Sequence, residues 1–287
     1  MKRSASTGSK KDLGCRPLPG VRRKHGRWRQ PGTGGRRDLG PQLAAGLILA
    51  ALWEAGVRLG GVPDFILPAP SQVAVSLVKS FPIIAGHTRV TLYEAMTGFV
   101  IAVAVSFVLA FVMDGVPVIK KALYPILVIS QTIPIITIAP LFVIWFGYGL
   151  LPKVIVVTLV CFFPVVVSFM GGLQGVDGEM YDLLKSMGAS RMQIFRLLKL
   201  PGALPSLFSG MKISAAYSIM GAVIGEWLGA KAGLGEFMRR SMHSFAVDKT
   251  FAAIIVITVL SLGVFEIIKL LEGWLMPWAK YAARQEE

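Results

Sequence analysis

Tyr181-Asp-Leu-Leu-Lys-Ser-Met-Gly-Ala-Ser-Arg-Met-Gln-Ile-Phe-Arg-Leu-Leu-Lys-Leu-Pro201 decides how the rest of the chain is read. It lies between two long apolar segments, is too charged to enter lipid, and is too regularly patterned for a slack loop. Met180, Leu183, Leu184 and Met187 fall at i, i+3, i+4 and i+7, one apolar stripe of a helix. Gly188 permits a bend, and Ile194, Phe195, Leu197 and Leu198 resume the apolar pattern after it. Lys185, Arg191, Arg196 and Lys199 fill the polar side. Pro201 is expected to close the unit, because its ring forbids a continuing regular helix. A short helix-bend-helix protruding from a membrane suits a groove in another protein. The same pattern also suits a bent amphipathic helix lying on lipid headgroups, and the spacing alone leaves both open.

Working outward, the 287 residues are 54% apolar and only 16% charged, against about 25% charged in a soluble domain. Several apolar runs reach the roughly 20 residues needed to cross a hydrocarbon core, so the chain reads as an all-α polytopic membrane protein. Spans are expected at 42–60, 87–113, 122–146, 152–170, 207–229 and 250–275, six in all, with both termini on one side. Before the second, Gly61-Val-Pro-Asp-Phe-Ile-Leu-Pro-Ala-Pro70 is a turn region, and Ser71 reads as the N-cap of a short helix to Lys79. The third span holds Pro125, Pro134 and Pro140 and must be kinked; Ser130, Gln131, Thr132 and Thr137 cluster where its freed carbonyls need partners. In the fifth, Gly210, Ser214 and Ser218 fall on one line and Gly221 and Gly225 on another, so this helix is expected to pack closely among others.

Two segments follow: a basic tail, residues 1–40, and a membrane domain, 41–287. The tail holds twelve Lys/Arg against Asp12 and Asp38, a net of +10 out of +14 for the whole chain. Such a tail could touch anionic lipid or nucleic acid. It reads instead as a disordered cytoplasmic extension or an over-called start, and no nucleic-acid partner is expected. The inner side so assigned carries 22 Lys/Arg and the outer 8, or 10 against 8 without the tail.

What the sequence lacks excludes most enzymes. There is no Gly-x4-Gly-Lys-Ser/Thr and no Gly-Lys dipeptide, hence no phosphate-cradling loop and no ATP site of its own. His25, His87 and His243 are scattered, and Cys15 and Cys161 offer neither a disulfide framework nor a metal set. Ser76-x-x-Lys79 and Ser209-x-x-Lys212 have no acyl-transfer domain around them. No catalytic residue, metal or bound cofactor is therefore expected. The intramembrane carboxylates Glu94, Glu226 and Glu266 are functional candidates by default, since ionisable groups are costly there. Glu94 could pair with Arg89. Glu226, beside small residues, is a candidate for the substrate pathway together with Ser130, Gln131, Thr132 and Thr137.

The 181–201 stretch resembles the EAA loop of ABC-transporter permeases of the binding-protein-dependent import type. Asp182, Leu183 and Leu184 stand at its Glu-Ala-Ala places, followed at the family spacing by Gly188, Leu198, Leu200 and Pro201. Asp for Glu keeps the charge, and Leu-Leu for Ala-Ala makes the surface bulkier. Leu67-Pro-Ala-Pro-Ser-Gln-Val73, Trp145-Phe-Gly-Tyr-Gly149, Gly225-Glu-Trp-Leu-Gly-Ala230 and Gly233-Leu-Gly235 resemble the sulfonate, nitrate, taurine and thiamine-precursor branch. The resemblance covers about residues 40–280. It implies a type I ABC importer permease fold in a bacterial cytoplasmic membrane, with the N-terminus inside. It further implies docking of two separate ATPase subunits, which carry the ATP and Mg, on the 179–201 loop through Asp182, Leu183, Leu184, Met187, Gly188, Leu198, Leu200 and Pro201. The remaining implied partners are an extracytoplasmic substrate-binding protein and a second copy of the chain. The implied cargo is a sulfonate, taurine or nitrate type of anion, or a pyrimidine or riboflavin type of heterocycle. An ion-gradient-driven secondary carrier and a scaffold without transport are the alternatives from other classes.

Overall fold

The computed structural model describes residues 39–277, and the expectations for the basic tail fall outside them apart from its last two residues. These residues form two units, 39–48 and 49–277; the first is a stretch of helix, and the packing below is that of the second. Ten α-helices make up the described chain: α1 Leu39–Leu59, α2 Pro70–Gly115, α3 Pro117–Ser130, α4 Ile135–Phe146, α5 Leu150–Gln174, α6 Gly178–Ser186, α7 Arg191–Ile194, α8 Leu200–Trp227, α9 Leu234–His243 and α10 Val247–Leu275. A π-helical turn, Phe195–Lys199, joins α7 to α8.

Four stretches are long and apolar enough to cross a membrane: α2, α5, the continuous run Arg191–Trp227, and α10. The pair α3–α4 supplies a fifth if it is counted as one broken span. The stretch expected as the first span forms helix α1, which carries Glu54 and Arg58 in its second half and is not among the four.

Three local expectations are corrected. The short helix at 71–79 and the span at 87–113 are one 46-residue helix, α2, with Pro82 inside it. At about 69 Å it is more than twice the thickness of a hydrocarbon core. Its N-cap is Ala69, not Ser71. Pro70 occupies the first turn, where a missing N–H costs nothing, and the Gln72 side chain accepts from the Ala69 N–H at 2.8 Å. Ser71 instead donates through its N–H and hydroxyl to Glu54 of α1, at 3.0 and 2.8 Å. The third span is broken rather than kinked: α3 and α4 meet at 99°. Pro134 disfavours helical backbone at Ile133 and then caps α4, so the chain turns between Gln131 and Pro134. Finally, Pro201 does not close the 181–201 unit. It sits in the first turn of α8, and the π turn before it lets the Leu200 N–H reach back five residues to the Phe195 carbonyl. The wider turn absorbs the amide that proline lacks.

The core forms where α2, α5, α8 and α10 meet. Ala95, Phe99, Val157, Cys161, Ala215, Ile219, Val264 and Ile268 make one cluster. Met113, Val165, Phe169, Leu173, Phe195 and Leu207 make the next, toward the 177–201 end. Close approach of α5 and α8 depends on small side chains. A Cβ on Gly210 would stand 2.6 Å from the Pro164 carbonyl oxygen. Ser214 and Cys161 exchange bonds across the same seam, each donating to the other's carbonyl, at 2.7 and 3.3 Å. All five small residues singled out in the sequence, Gly210, Ser214, Ser218, Gly221 and Gly225, are buried in α8.

Candidate functional site

The 177–201 unit is built from local signals. Asp177 caps α6, its side chain accepting the Glu179 N–H at 2.9 Å. At the other end Gly188 lies at φ +83°, the left-handed region where a side chain is strained. There the Ala189 N–H bonds the Leu184 carbonyl and the Gly188 N–H bonds that of Lys185, both at 3.0 Å, a Schellman closure. Ser190 and Gln193 then cap α7 reciprocally: Gln193 Oε1 accepts from the Ser190 N–H at 2.7 Å, and Ser190 Oγ from the Gln193 N–H at 3.3 Å. A bend defined at both edges makes a stiff unit.

The unit divides its apolar side chains between two surfaces. Met180 and Leu183 of α6 and its C-cap Met187 are exposed, with Met187 at 74%, and Asp182 and Gly188 lie exposed beside them. Ile194 and Phe195 are buried instead, and Leu184, Leu198, Leu200 and Pro201 are half-buried. Phe195 meets Phe111 of α2 edge-on, ring centroids 4.8 Å apart. Lys199 donates to both Asp114 oxygens at 2.8 and 2.9 Å and lies over the Tyr181 ring. These contacts tie the unit to the end of α2 around a cavity of about 300 Å³ lined in part by Tyr181, Arg191, Phe111 and Asp114. The Lys199–Asp114 pair was not legible in the sequence, because its members stand 85 positions apart.

The polar residues of the α3–α4 break are exposed. Ser130, Thr132 and Thr137 turn their hydroxyls onto the carbonyls of Leu127, Ile129 and Pro134, at 2.7 to 2.8 Å. Gln131 lies exposed among them. Glu226 is elsewhere, fully buried at the far end of α8, and is not brought together with these four. Glu94 pairs with Lys153 of α5 at 2.6 Å rather than with Arg89. Glu266 makes an exposed pair with Lys269 on its own helix.

A comparison with protein families matches residues 98–277 to the family described as "Binding-protein-dependent transport system inner membrane component". The chain belongs to this family. Among curated relatives, the permease is 38% identical over 235 residues to the formylaminopyrimidine transport permease protein ThiX of Halalkalibacterium halodurans, covering 82% of this chain and 94% of that one. It is 33% identical over 234 residues to the riboflavin transport system permease protein RibX of Chloroflexus aurantiacus, covering 81% and 87%. Among solved structures, an amino acid ABC transporter chain superposes with a TM-score of 0.57 at 17% identity, covering 69% of the permease and 96% of that chain. At that identity the likeness concerns the fold. The permease is thus the membrane-spanning subunit of an ABC importer, a multi-pass inner-membrane protein.

Proposed function

We propose that the 177–201 unit is where ATP hydrolysis on partner subunits enters this permease. Two ATPase subunits, each carrying ATP and Mg, dock on the loops of two permease copies, with the unit and the N-terminus on the cytoplasmic side. The supporting observation is an exposed apolar face, Met180, Leu183 and Met187, on a helix capped at both ends and fastened behind to α2. An exposed hydrophobic face on a rigid element suits helix-in-groove recognition. The continuous helix Arg191–Trp227 then carries displacement into the membrane, because 37 residues reach about 55 Å. Asp182 and Leu183 contact the groove directly. Leu184, Leu198, Leu200 and Pro201 hold the unit in place.

A second copy of the chain covers the α3–α4 break. Irregular backbone at membrane depth is tolerated only against protein or a water-filled path, and this one is exposed in the single chain. Ser130, Gln131, Thr132 and Thr137 line that path. An extracytoplasmic binding protein delivers the solute, and the relatives named above favour a pyrimidine or flavin type of heterocycle as cargo.

The test is purification of the tagged chain in mild detergent with identification of co-purifying proteins. A P-loop ATPase is expected, and its recovery should be lost with Leu183→Asp. A chain that stays alone after crosslinking at residues 185–199 would overturn the docking role.

A further inference from the structure

The stretches Gly225-Glu-Trp-Leu-Gly-Ala230 and Gly233-Leu-Gly235 have no part in the docking unit, yet the structure brings them together. Glu226 is the penultimate residue of α8, and α9 begins seven residues beyond the end of α8. Three consecutive N–H groups at the start of α9 are each taken by a different side chain. Gly233 donates to His87 Nδ1 at 3.0 Å, Leu234 to Thr91 Oγ1 at 2.8 Å, and Gly235 to Glu226 Oε2 at 2.6 Å. Thr91 also lies 2.6 Å from Glu226 Oε1, which joins α2 to α8 through the same group. The glycines make the approach possible: a Cβ on Gly233 would overlap the Glu226 carboxyl group, and one on Gly235 would press on Glu226 and the Val223 carbonyl. The grip continues in apolar contacts, with Leu234, Phe237 and Met238 buried against Val73 and Ile84 of α2 and Ala252 and Ala253 of α10.

The hydrogens of this site indicate what position 226 contributes. Thr91 has one hydroxyl hydrogen but two acceptors in reach, the His87 carbonyl at 3.2 Å and Glu226 Oε1 at 2.6 Å. It also accepts from Leu234, which leaves it room for one more incoming hydrogen. A group at 226 that accepts from the Gly235 N–H and donates to Thr91 would free the Thr91 hydrogen for the His87 carbonyl and satisfy all three. A glutamine amide has that shape. The charged groups in the neighbourhood, Lys153 of α5 and Glu94 of α2, are paired with each other at 2.6 Å.

We propose that Glu226 is a positioning residue that fastens α9 to the α2–α8 frame through the shape of its hydrogen bonding and not through charge. On the permease reading above, α9 stands at the extracytoplasmic mouth and moves with the frame as one piece. A charge in the substrate path is a different role, and it would not survive replacement by an amide.

The experiment is hydrogen-deuterium exchange on the full chain in phosphatidylethanolamine/phosphatidylglycerol nanodiscs, comparing residues 234–243 with residues 178–199 as internal reference. Glu226→Gln and Thr91→Ser should leave α9 protected. Glu226→Ala and Thr91→Val should speed its exchange by about tenfold or more while the reference segment is unchanged. Loosening by Glu226→Gln equal to that by Glu226→Ala would overturn the shape role, and unchanged exchange in Glu226→Ala would overturn the fastening. This arm needs no partner and stands even if no ATPase is recovered. In the co-purified ATPase complex trapped with ATP and vanadate, wild-type α9 should stay protected; faster exchange there would mean that α9 unfastens, contrary to the proposal.

Discussion

Two short helices sit at opposite ends of α8 and are held in opposite ways. The nine residues of α6 are capped from within, by Asp177 and the Gly188 closure, and they leave an apolar face open. The ten residues of α9 are capped from elsewhere, by His87, Thr91 and Glu226, and they bury theirs. On the docking role proposed above, a helix whose order is written locally spares the partner the cost of ordering it. A helix that belongs to the frame can borrow its order from the frame.

The sharpest way to break this contrast is at Gly188. Gly188→Pro cannot adopt φ +83° and should bring solute uptake down to background, as should Leu183→Asp. Membrane insertion should be unchanged in both, checked by fractionation. Normal uptake in these variants would remove the docking role. At the α9 end the ion pairs matter more than the exposed face. Glu94→Gln leaves Lys153 largely buried and unpaired, so a loss of about 3–5 kcal/mol is expected in thermal unfolding.

At the α6 end, Asp114→Lys or Lys199→Asp alone should lower stability by about 1.5–3 kcal/mol and reduce ATPase recovery. The double exchange should recover most of both, and a swap no better than the singles would show that the pair does not tie the unit to α2. The smallest effect concerns acid. Burial works against the charged Glu236, but Arg239 and Arg240 outweigh it and hold its carboxyl below the ordinary value of 4.5. Its contribution is thus complete above that value and lost only as pH falls through the lower folded-state value. Exchange protection of α9 should be equal at pH 7 and at about pH 5.5, and Glu236→Gln should abolish only the steeper loss under strong acid.

What the sequence disclosed follows the same division. The helical class and the long spans follow from apolar runs, and the bend at Gly188 follows from residues within a few positions of it. The continuity of α2 was hidden because the helix expected from Ser71 was ended at Lys79 and the next span was begun at 87, whereas one helix runs through both with Pro82 carried inside it. Pro201 misled for a related reason: a proline announces a missing amide but not the π turn that compensates for it. The contacts of Glu226 and Asp114 were beyond reach. Thr91 stands 135 positions from Glu226 and Asp114 stands 85 from Lys199, and only the packing of α2 beside α8 brings them together.

The π turn at Phe195–Lys199 has one more consequence, a matter of phase. It is equivalent to one extra residue in an otherwise α-helical rod, and each residue of an α-helix advances the azimuth by about 100°. Deleting a single residue between 195 and 199 would restore a regular rod while swinging residues 177–194 by that angle around its axis. On the docking role proposed above, the exposed methionines and Leu183 would then face away from the groove they enter. The angle at which the exposed face stands to α8 is set, like the timing of a camshaft, by one residue that the helix has not expelled.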